Sequence, residues 1–339
     1  MVRTKLKSKK ERTVPLELGS GGKLMRKFLR EDILKNFSSK ILKRMDDSAI
    51  FSINNQIAFT TDSFVVDPIF FPGGDIGRLA VFGTVNDLVV SGAEPKYLSL
   101  SLILEEGFPW KILKKILKSI KEASKEAKIE IVTGDTKVVR KGQADGIFIN
   151  TAGIGNVISK PSPENIKIGD KVILTGNLGE HSIAVLIARE EFHLEGNIKS
   201  DCAPLNFLLP LWNSRAKWMR DITRGGLATC LYELTELIPY SIYIYEEKIR
   251  LSDFVKGATE LLGIDPLYLA CEGRAVIIVE EEKSDDVLKY LESNPLGREA
   301  EIIGEISERG EKGELLFETL TGGIRLLEPL TYELLPRIC

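Results

Sequence analysis

A proline-containing segment, Lys160-Pro161-Ser162-Pro163-Glu164, divides the chain of 339 residues. Two prolines within five residues exclude both a helix interior and a central strand, so this segment is predicted to be a linker. On both sides of it, short β-rich runs alternate with runs of helical periodicity. The length also exceeds the ~100–200 residues of an average domain. The sequence therefore predicts two domains of the α/β or α+β class.

Periodicity and turn residues predict the elements of both halves. Helices are expected at 23–36, 76–91, 109–127, 181–190, 205–218, 226–237 and 284–292. Strands are expected at 48–53, 56–61, 96–104, 129–133, 146–155, 171–175, 240–246 and 275–280. Asp75 is the predicted N-cap of the second helix, because its carboxylate can accept hydrogen bonds from N–H groups of the first turn.

The charge balance limits the classes of partner. The chain has 46 Lys and Arg residues against 49 Asp and Glu residues, a formal charge of −3. Broad nucleic-acid binding needs a basic surface and is not expected. No uncharged apolar run approaches the roughly 20 residues that span a bilayer, and no secretory signal follows the basic tip, so no membrane partner is expected. The four cysteines form no CxxC pair, which favours a reducing, cytoplasmic location.

Three aspartates stand in apolar surroundings. Asp62 follows the run 57–61, Asp135 follows the run 129–133 after one glycine, and Asp87 interrupts an apolar helix. Carboxylates at strand ends project into the crevice beside a sheet, where ligands bind. Their hard oxygens suit Mg²⁺. Each aspartate alone also fits a helix cap or a partner in an ion pair, and that alternative stays open.

Glycine-rich turns offer a candidate phosphate cradle. Asp221-Ile222-Thr223-Arg224-Gly225-Gly226 leads into a helix, so backbone N–H groups and Arg224 can face an anion. Gly19-Ser20-Gly21-Gly22-Lys23 also precedes a helix, but Glu17 and Leu24 break the Walker A pattern. An ordinary turn remains the alternative interpretation of each loop.

Cysteine is rare in this chain, at 4 of 339 residues, yet it occupies the last position, Cys339. A thiol on a mobile tail can be presented to another protein or can reach the chain's own active site. As a thiolate it is a nucleophile able to carry an acyl group. A harmless exposed thiol is the alternative. With only His181 and His193 available, a zinc site is not expected.

Taken in order, these segments resemble the HypE family of hydrogenase-maturation proteins, within the PurM-like ATP-binding superfamily. The resemblance covers about residues 16–339, and the ending Pro336-Arg337-Ile338-Cys339 separates this family from others in the superfamily. The other motifs that carry it are Gly19-Ser20-Gly21-Gly22, Thr60-Thr61-Asp62-Ser63, Phe71-Pro72-Gly73-Gly74-Asp75-Ile76-Gly77, Gly83-Thr84-Val85-Asn86-Asp87-Leu88, Gly134-Asp135-Thr136-Lys137 and Asp221-Ile222-Thr223-Arg224-Gly225-Gly226.

The resemblance implies that an S-carbamoyl group on Cys339 is dehydrated with ATP to a protein thiocyanate. In the family, the carbamoyl group comes from HypF. The cyano group later passes to iron held by HypC and HypD, for nickel–iron hydrogenases. The resemblance also implies a PurM-like two-domain architecture. In it, the N-terminal sheets of a homodimer join, and a second α/β domain packs beside each.

The family pattern also implies roles for single residues. Cys339 carries the reacting group, Lys137 contacts phosphate or the carbamoyl group, and Glu272 accepts a proton. An N-cap or loop acid is the alternative for Glu272. The implied ligands of Mg²⁺ are Asp47, Asp62, Asp87, Asp135 and Asp221. The implied contacts of ATP are Gly21, Gly22, Asp62, Asn86, Asp87, Asp135, Thr136, Arg224, Gly225 and Gly226.

The implied organisation has four parts. A basic N-terminal segment (1–18) precedes an ATP-binding and dimerisation domain (19–158), a C-terminal α/β domain (165–328) and a mobile tail (329–339). Three positions depart from the family pattern. Leu18 stands where His is frequent, Glu180-His181-Ser182 replaces Asp-His-Gly, and Cys271 stands where Asn is common.

Two other functions stay open at this point. The same fold could serve a small-molecule phosphotransferase or synthetase, in which case loss of Cys339 leaves turnover intact. Alternatively, the chain could be a non-enzymatic assembly protein whose tail docks a partner.

Overall fold

The structure of the protein, a computed structural model, describes residues 22–28, 30–31, 49–52, 56–189, 196–213, 215–308, 313–332 and 334–339. Within these ranges the helices are α1 (Lys23–Phe28), α2 (Ile76–Val90), α3 (Trp110–Glu126), α4 (Glu180–Arg189), α5 (Gly226–Thr235), α6 (Asp253–Leu262) and α7 (Glu281–Glu292). The strands are β1 (Ala49–Ser52), β2 (Gln56–Phe64), β3 (Phe70–Phe71), β4 (Gly74–Asp75), β5 (Ala93–Glu105), β6 (Glu130–Val139), β7 (Ile147–Val157), β8 (Lys171–Leu174), β9 (Ala216–Asp221), β10 (Ser241–Tyr245), β11 (Ala275–Val279), β12 (Glu301–Ser307), β13 (Leu315–Glu318) and β14 (Ile324–Leu326). The basic N-terminal segment, Gly21, Asp47 and His193 lie outside the described residues.

The first sheet has the strand order β1-β2-β7-β5-β6. Only β5 and β6 are parallel neighbours, and parallel strands need a crossover, which α3 supplies. Helices α2 and α3 cover one face, where Leu98, Leu102 and Leu104 of β5 are buried. The opposite face is open. It exposes four large apolar side chains, those of Phe59, Tyr97, Ile103 and Ile154.

Helix α2 is buried nearly all round. Thirteen of its 15 residues are buried, as expected for a helix that is apolar on every side. Asp75 caps it as predicted, because its carboxylate accepts hydrogen bonds from the N–H groups of Gly77 and Arg78. On its far side, Trp212 Nε1 donates to the Val89 carbonyl at 2.8 Å. The helix therefore belongs to the cores of both halves.

The second sheet has the order β14-β13-β10-β12-β8-β11-β9. Strand β11 is buried along its whole length between β8 and β9. The loop before β11 and the loop after β9 are joined by hydrogen bonds, since Cys271 N donates to Ile222 O and Ile222 N donates to Arg274 O. This pairing brings two predicted site residues, Asp221 and Glu272, onto adjacent segments.

The predicted helix at 205–218 is wrong. Residues Asn206–Trp212 form a 3-10 helix, and Ala216–Asp221 form strand β9. Pro210 lacks the N–H that a continuous α-helix would use. Helix α6 was not predicted, although Ser252 caps it through the Val255 N–H and Gly263 ends it in a left-handed conformation. Its signals were Ser and Gly at the two ends of a short apolar run.

The two strands that carry Asp62 and Asp135 extend beyond their predicted ends. Strand β2 runs through Asp62 to Phe64, and β6 runs through Asp135 to Val139. The prediction that both aspartates follow the ends of their strands is therefore wrong. In the part of the chain that the structure describes, no helix combines the length and the apolar character needed to cross a bilayer.

Candidate active site

Asp62 and Asp135 lie on opposite faces of the first sheet. The register pairs Asp62 with Thr151, Thr151 with Leu100 and Leu100 with Gly134. Residues paired in this way share a face, and successive residues alternate. Asp62 is thus on the face covered by α2, whereas Asp135, beside Gly134, is on the open face.

Asp62 and Asp87 meet where α2 crosses β2. Thr60 Oγ1 donates to Asp87 Oδ2 at 2.7 Å. A Cβ atom added at Gly83, one turn before Asp87, would lie 3.6 Å from Asp62 Oδ2 and 2.9 Å from the Phe64 ring. The glycine lets the helix approach the strand closely, which brings the segments that carry the two carboxylates together.

Glu272 lies in this same region, and its side chain is 3% exposed. Its backbone is fixed on both sides, because its N–H donates to Asp201 Oδ1 at 3.1 Å and its carbonyl accepts from Asn86 Nδ2 at 3.3 Å. Its Oε1 is buried and has no hydrogen-bond partner among the described residues. A fixed backbone with an unsatisfied carboxylate oxygen is an arrangement suited to binding a proton or a donor group.

The surroundings of Glu272 control its protonation. Burial raises the pKa of this carboxyl well above its ordinary value, and the negative charges of Asp221, Asp201 and Asp62 raise it further. The Arg224 guanidinium acts in the opposite direction. A carboxyl group with a raised pKa holds a proton more strongly, as a general base near neutral pH requires.

The loop after β9 carries Arg224 into the cluster. Gly225 and Gly226 have φ values of 83° and 64°, which favour glycine, and a Cβ atom at Gly226 would overlap the Leu267 carbonyl. The negative charge of Cys339 is the largest cause that raises the pKa of Arg224, with Asp62, Glu272 and Asp87 also contributing. The guanidinium is therefore within electrostatic range of Cys339 and of the acidic cluster.

The C-terminal segment runs antiparallel to residues 65–67. Val65 N donates to the Cys339 carbonyl and Asp67 N donates to the Arg337 carbonyl, both at 3.1 Å. Ile338 is buried in the core that both halves share. Cys339 is half-buried and is not part of a disulfide. The predicted mobility of this tail is not tested by a single conformation and stays a prediction.

Three predicted site residues lie away from this cluster, on strand β6. Lys137 Nζ pairs with Asp135 Oδ2 at 3.2 Å, and both side chains are largely exposed. The hydrogen bond from Lys137, together with one from Thr136 N, lowers the pKa of Asp135. Within one chain, Asp135, Thr136 and Lys137 are not brought to Glu272.

Two other predicted ATP contacts have structural partners. The side-chain amide of Asn86 donates to the carbonyls of Ala203 and Glu272 and accepts a hydrogen bond from Leu205 N. Gly22 packs against Leu330, whose carbonyl accepts from Lys23 N at 3.0 Å. Their contacts with ATP stay predictions. Among the residues that the structure describes, no three His, Cys, Asp or Glu side chains converge as a metal site.

The sequence analysis missed the residues that donate hydrogen bonds to the C-terminal segment and the residue that fixes the backbone of Glu272. The sequence patterns assigned no role to His181 and did not single out Arg189 or Asp201. His181 and Arg189 lie on α4 and donate to tail carbonyls. Asp201 supports Glu272 from a loop 71 residues earlier. The sequence offered one signal, a histidine close to the apolar run 183–188.

Two family models match the chain. The N-terminal domain of AIR synthase related proteins matches residues 45–157, and the C-terminal domain of the same proteins matches residues 167–315. The first match contains all strands of the first sheet. The second match contains the second sheet except β14 and the last residues of β13. The predicted outer bounds, 19–158 and 165–328, stay predictions.

Curated relatives match over nearly the full length. The carbamoyl dehydratase HypE of Bradyrhizobium diazoefficiens is 42% identical over 333 residues, which cover 96% of this chain and 96% of that protein. The carbamoyl dehydratase HypE of Escherichia coli is 41% identical over 336 residues, covering 96% and 99%. The chain belongs to the HypE family. It is a PurM-like member of the hydrogenase-maturation proteins, as the motifs predicted.

Solved HypE structures have the same fold. A HypE–HypF complex superposes with a TM-score of 0.83 at 44% identity, covering 89% of this chain and 99% of that one. A HypE structure in complex with ATP gives a TM-score of 0.80 at 40% identity, covering 96% and 100%. A thiamine monophosphate kinase from Aquifex aeolicus gives 0.67 at 20% identity and shows the shared fold alone.

Proposed function

We propose that this HypE-family protein uses ATP to dehydrate an S-carbamoyl group on Cys339 to a thiocyanate, which supplies the cyanide ligand for nickel–iron hydrogenases. The observation that carries the proposal is the position of Cys339. Its carbonyl is held by the Val65 N–H, and its charge interacts with that of Arg224, which also interacts with Glu272, Asp62 and Asp87. The HypE relatives named as carbamoyl dehydratases and the HypE–ATP complex support the reaction and its nucleotide.

The reaction balances in two steps. The carbamoyl oxygen attacks the γ-phosphorus of ATP, ADP leaves, and the amide nitrogen loses one proton, which gives an S-bound imidate phosphate. The nitrogen then loses its second proton while the C–O bond breaks. The products are S–C≡N and inorganic phosphate, so the carbamoyl group loses the elements of one water molecule.

Each step needs a group that the cluster provides. Glu272 accepts an amide proton, because its buried carboxylate is strongly basic and its Oε1 has no other partner among the described residues. Arg224 stabilises the negative charge that develops on the transferring phosphoryl group. Backbone N–H groups at the start of α5 add further anion-binding capacity.

Mg²⁺ fits the carboxylates of this region. Asp62, Asp87 and Asp221 are hard oxygen donors, and Mg²⁺ shares its coordination with water and phosphate rather than requiring a complete protein cage. The other two predicted ligands are Asp47, which is outside the described residues, and Asp135, which lies on the open face of the first sheet. When bound, the ion would neutralise charge on the ATP phosphates.

The proposal includes a homodimer joined through the open face of the first sheet. Phe59, Tyr97, Ile103 and Ile154 expose apolar surface there, and Asp135 and Lys137 lie on the same face. Asp135 and Lys137, which do not reach the cluster within one chain, would then lie at the interface, where each could act on the partner chain's nucleotide.

The proposed partners follow from the reaction. A HypF-like protein donates the carbamoyl group, as the HypE–HypF complex of a relative supports. A HypC–HypD complex with bound iron accepts the cyano group. We place these exchanges in the cytoplasm, where ATP is available and thiols stay reduced.

The decisive experiment is intact-mass analysis of carbamoylated protein incubated with Mg-ATP. The mass falls by one water, the change maps to Cys339, and ADP appears in equal amount. Cys339→Ser abolishes the change, whereas the control Cys230→Ala, altered in the core of the second domain, retains it. An unchanged mass after confirmed carbamoylation contradicts the proposal. ATP turnover that survives Cys339→Ser supports a small-molecule phosphotransferase instead.

A further inference from the structure

Four consecutive carbonyl groups of the C-terminal segment each accept a hydrogen bond from the body of the protein. Arg189 donates to the carbonyls of Pro336 and Arg337. His181 Nε2 lies 2.8 Å from the Ile338 carbonyl. Backbone N–H groups donate to Arg337 and Cys339. We name this set of donors, Val65, Asp67, His181 and Arg189, the tail slot.

The hydrogen bonds of the tail slot all go to main-chain carbonyl groups. None of the hydrogen bonds just described involves the Cys339 side chain. The slot can therefore hold the thiol, carbamoyl and cyano forms alike, because they differ only beyond Cβ. Ile338 adds a buried side chain to these polar contacts, so the slot fixes both the depth and the direction of the tail.

Of the two slot side chains, His181 contacts the carbonyl that is nearer to Cys339 in the chain. Its ring is fully buried, and a carbonyl oxygen can only accept, so Nε2 carries the hydrogen. Nδ1 then accepts from the Ser200 hydroxyl, at 2.8 Å, and Ser200 Oγ accepts from Cys202 N at 3.0 Å. The Phe71 ring packs edge-on against the imidazole. One tautomer and one ring orientation are thus fixed from three sides.

We propose that His181 is a positioning residue for the dehydration: by donating from Nε2 to the Ile338 carbonyl, it places Cys339 in front of Arg224 and Glu272. The inference deepens the proposed function and rests on it. The peptide unit between Ile338 and Cys339 ends at the Cα atom that carries the reacting group. Loss of its anchor frees rotation where the carbamoyl group must face the base, and such misplacement is costly in rate.

The test is single-turnover dehydration of carbamoylated wild type, His181→Gln and His181→Leu with saturating Mg-ATP, followed by intact mass. His181→Leu dehydrates about tenfold more slowly, as the loss of one hydrogen bond implies. His181→Gln retains an N–H donor and recovers most of the rate. Carbamoylation by the donor protein and the Kd for ATP stay unchanged in both variants, since neither uses the docked tail.

A second readout reports on the tail directly. Cys339 reacts faster with a thiol reagent in His181→Leu than in wild type, while the buried Cys202, Cys230 and Cys271 stay unreactive in both. If His181→Leu does not fold, Ser200→Ala replaces it. That variant keeps the imidazole but removes the hydroxyl that fixes its tautomer, and it slows dehydration less.

Equal dehydration rates in wild type and a folded His181→Leu or Ser200→Ala variant, or equal reactivity of Cys339, overturn the inference while the proposed function stands. Failure of the wild type itself to lose water overturns the proposed function, whatever the His181 variants do.

Discussion

Glu272 owes its chemistry to residues that are distant in sequence. Asp201 and Asn86 hold its backbone, and burial removes water from its carboxylate. No pattern around residue 272 reveals these contacts. Its proposed role therefore came from the family resemblance, whereas the unsatisfied Oε1 and the raised pKa came only from the structure.

We expect Glu272→Gln to slow single-turnover dehydration by about 100-fold or more, the usual loss when a general base is removed. The amide is nearly isosteric but cannot accept the proton. ATP affinity, measured by calorimetry, stays close to that of wild type. Glu299→Gln, at an exposed ion pair with Arg250, is the matched control and leaves the rate unchanged. A fast Glu272→Gln variant contradicts the assignment.

The pH dependence of wild-type dehydration follows from the raised pKa of Glu272. Because the folded protein protonates this carboxyl at higher pH than free glutamate, the base is lost early as the pH falls. The rate therefore decreases on acidification with a midpoint above 4.5. A pH–rate profile of pre-carbamoylated protein measures it, and a midpoint at or below that value disagrees with the proposal.

His181 gives a stability prediction of the opposite sign to that of a paired histidine. Burial lowers its pKa from 6.5 to about 4, so the unfolded chain binds a proton in a pH range where the folded chain does not. Stability from this group is present above pH 6.5 and is lost as the pH falls toward 4. We expect about 2 kcal/mol less free energy of unfolding at pH 5 than at pH 7 from this residue. Urea denaturation of wild type and His181→Gln measures it, and an equal pH response in both excludes it.

At the scale of elements, the start of α5 depends on two left-handed glycines. Gly226→Ala forces a side chain into a φ of 64° and against the Leu267 carbonyl. We expect it to lower the free energy of unfolding by about 2 kcal/mol or more and to weaken ATP binding.

Gly257→Ala is the control, because it lies within α6 with open space around it. There the gain in helix propensity raises stability by about 0.5–1 kcal/mol. Thermal and urea denaturation distinguish the two, and equal effects refute the local explanation.

The sequence predicted some elements well because their signals are local. The Asp75 cap and the apolar stripe of α3, with Leu113, Ile116 and Ile120 buried, needed only nearby residues. The faces of Asp62 and Asp135 were not predictable in the same way. They depend on where each strand ends and on the register with its neighbours, and both are set by pairing between distant segments. The strand at 216–221 is a similar case, because pairing with β11 overrides a weak helical pattern.

At the scale of the whole molecule, the open face of the first sheet predicts association. We expect Tyr97→Glu to convert a dimer into monomers, because it places a charge among exposed apolar side chains on that face. Dehydration falls with it if Asp135 and Lys137 act across the interface. Leu261→Glu, on α6 and 73% exposed, is the matched control and leaves the assembly intact. Light scattering measures the mass, and a Tyr97→Glu dimer of wild-type affinity argues against this interface.

Helix α2 belongs structurally to both domains, and this limits how the protein can be divided. Its residues contact the first sheet on one side and Trp212, Leu205 and Ala203 on the other. A fragment that stops at the linker would expose a helix with no polar side to turn toward water. Exchanging one domain with that of a distant relative would leave the same helix against a foreign surface. Recombination within this fold should therefore succeed only where both halves are inherited together.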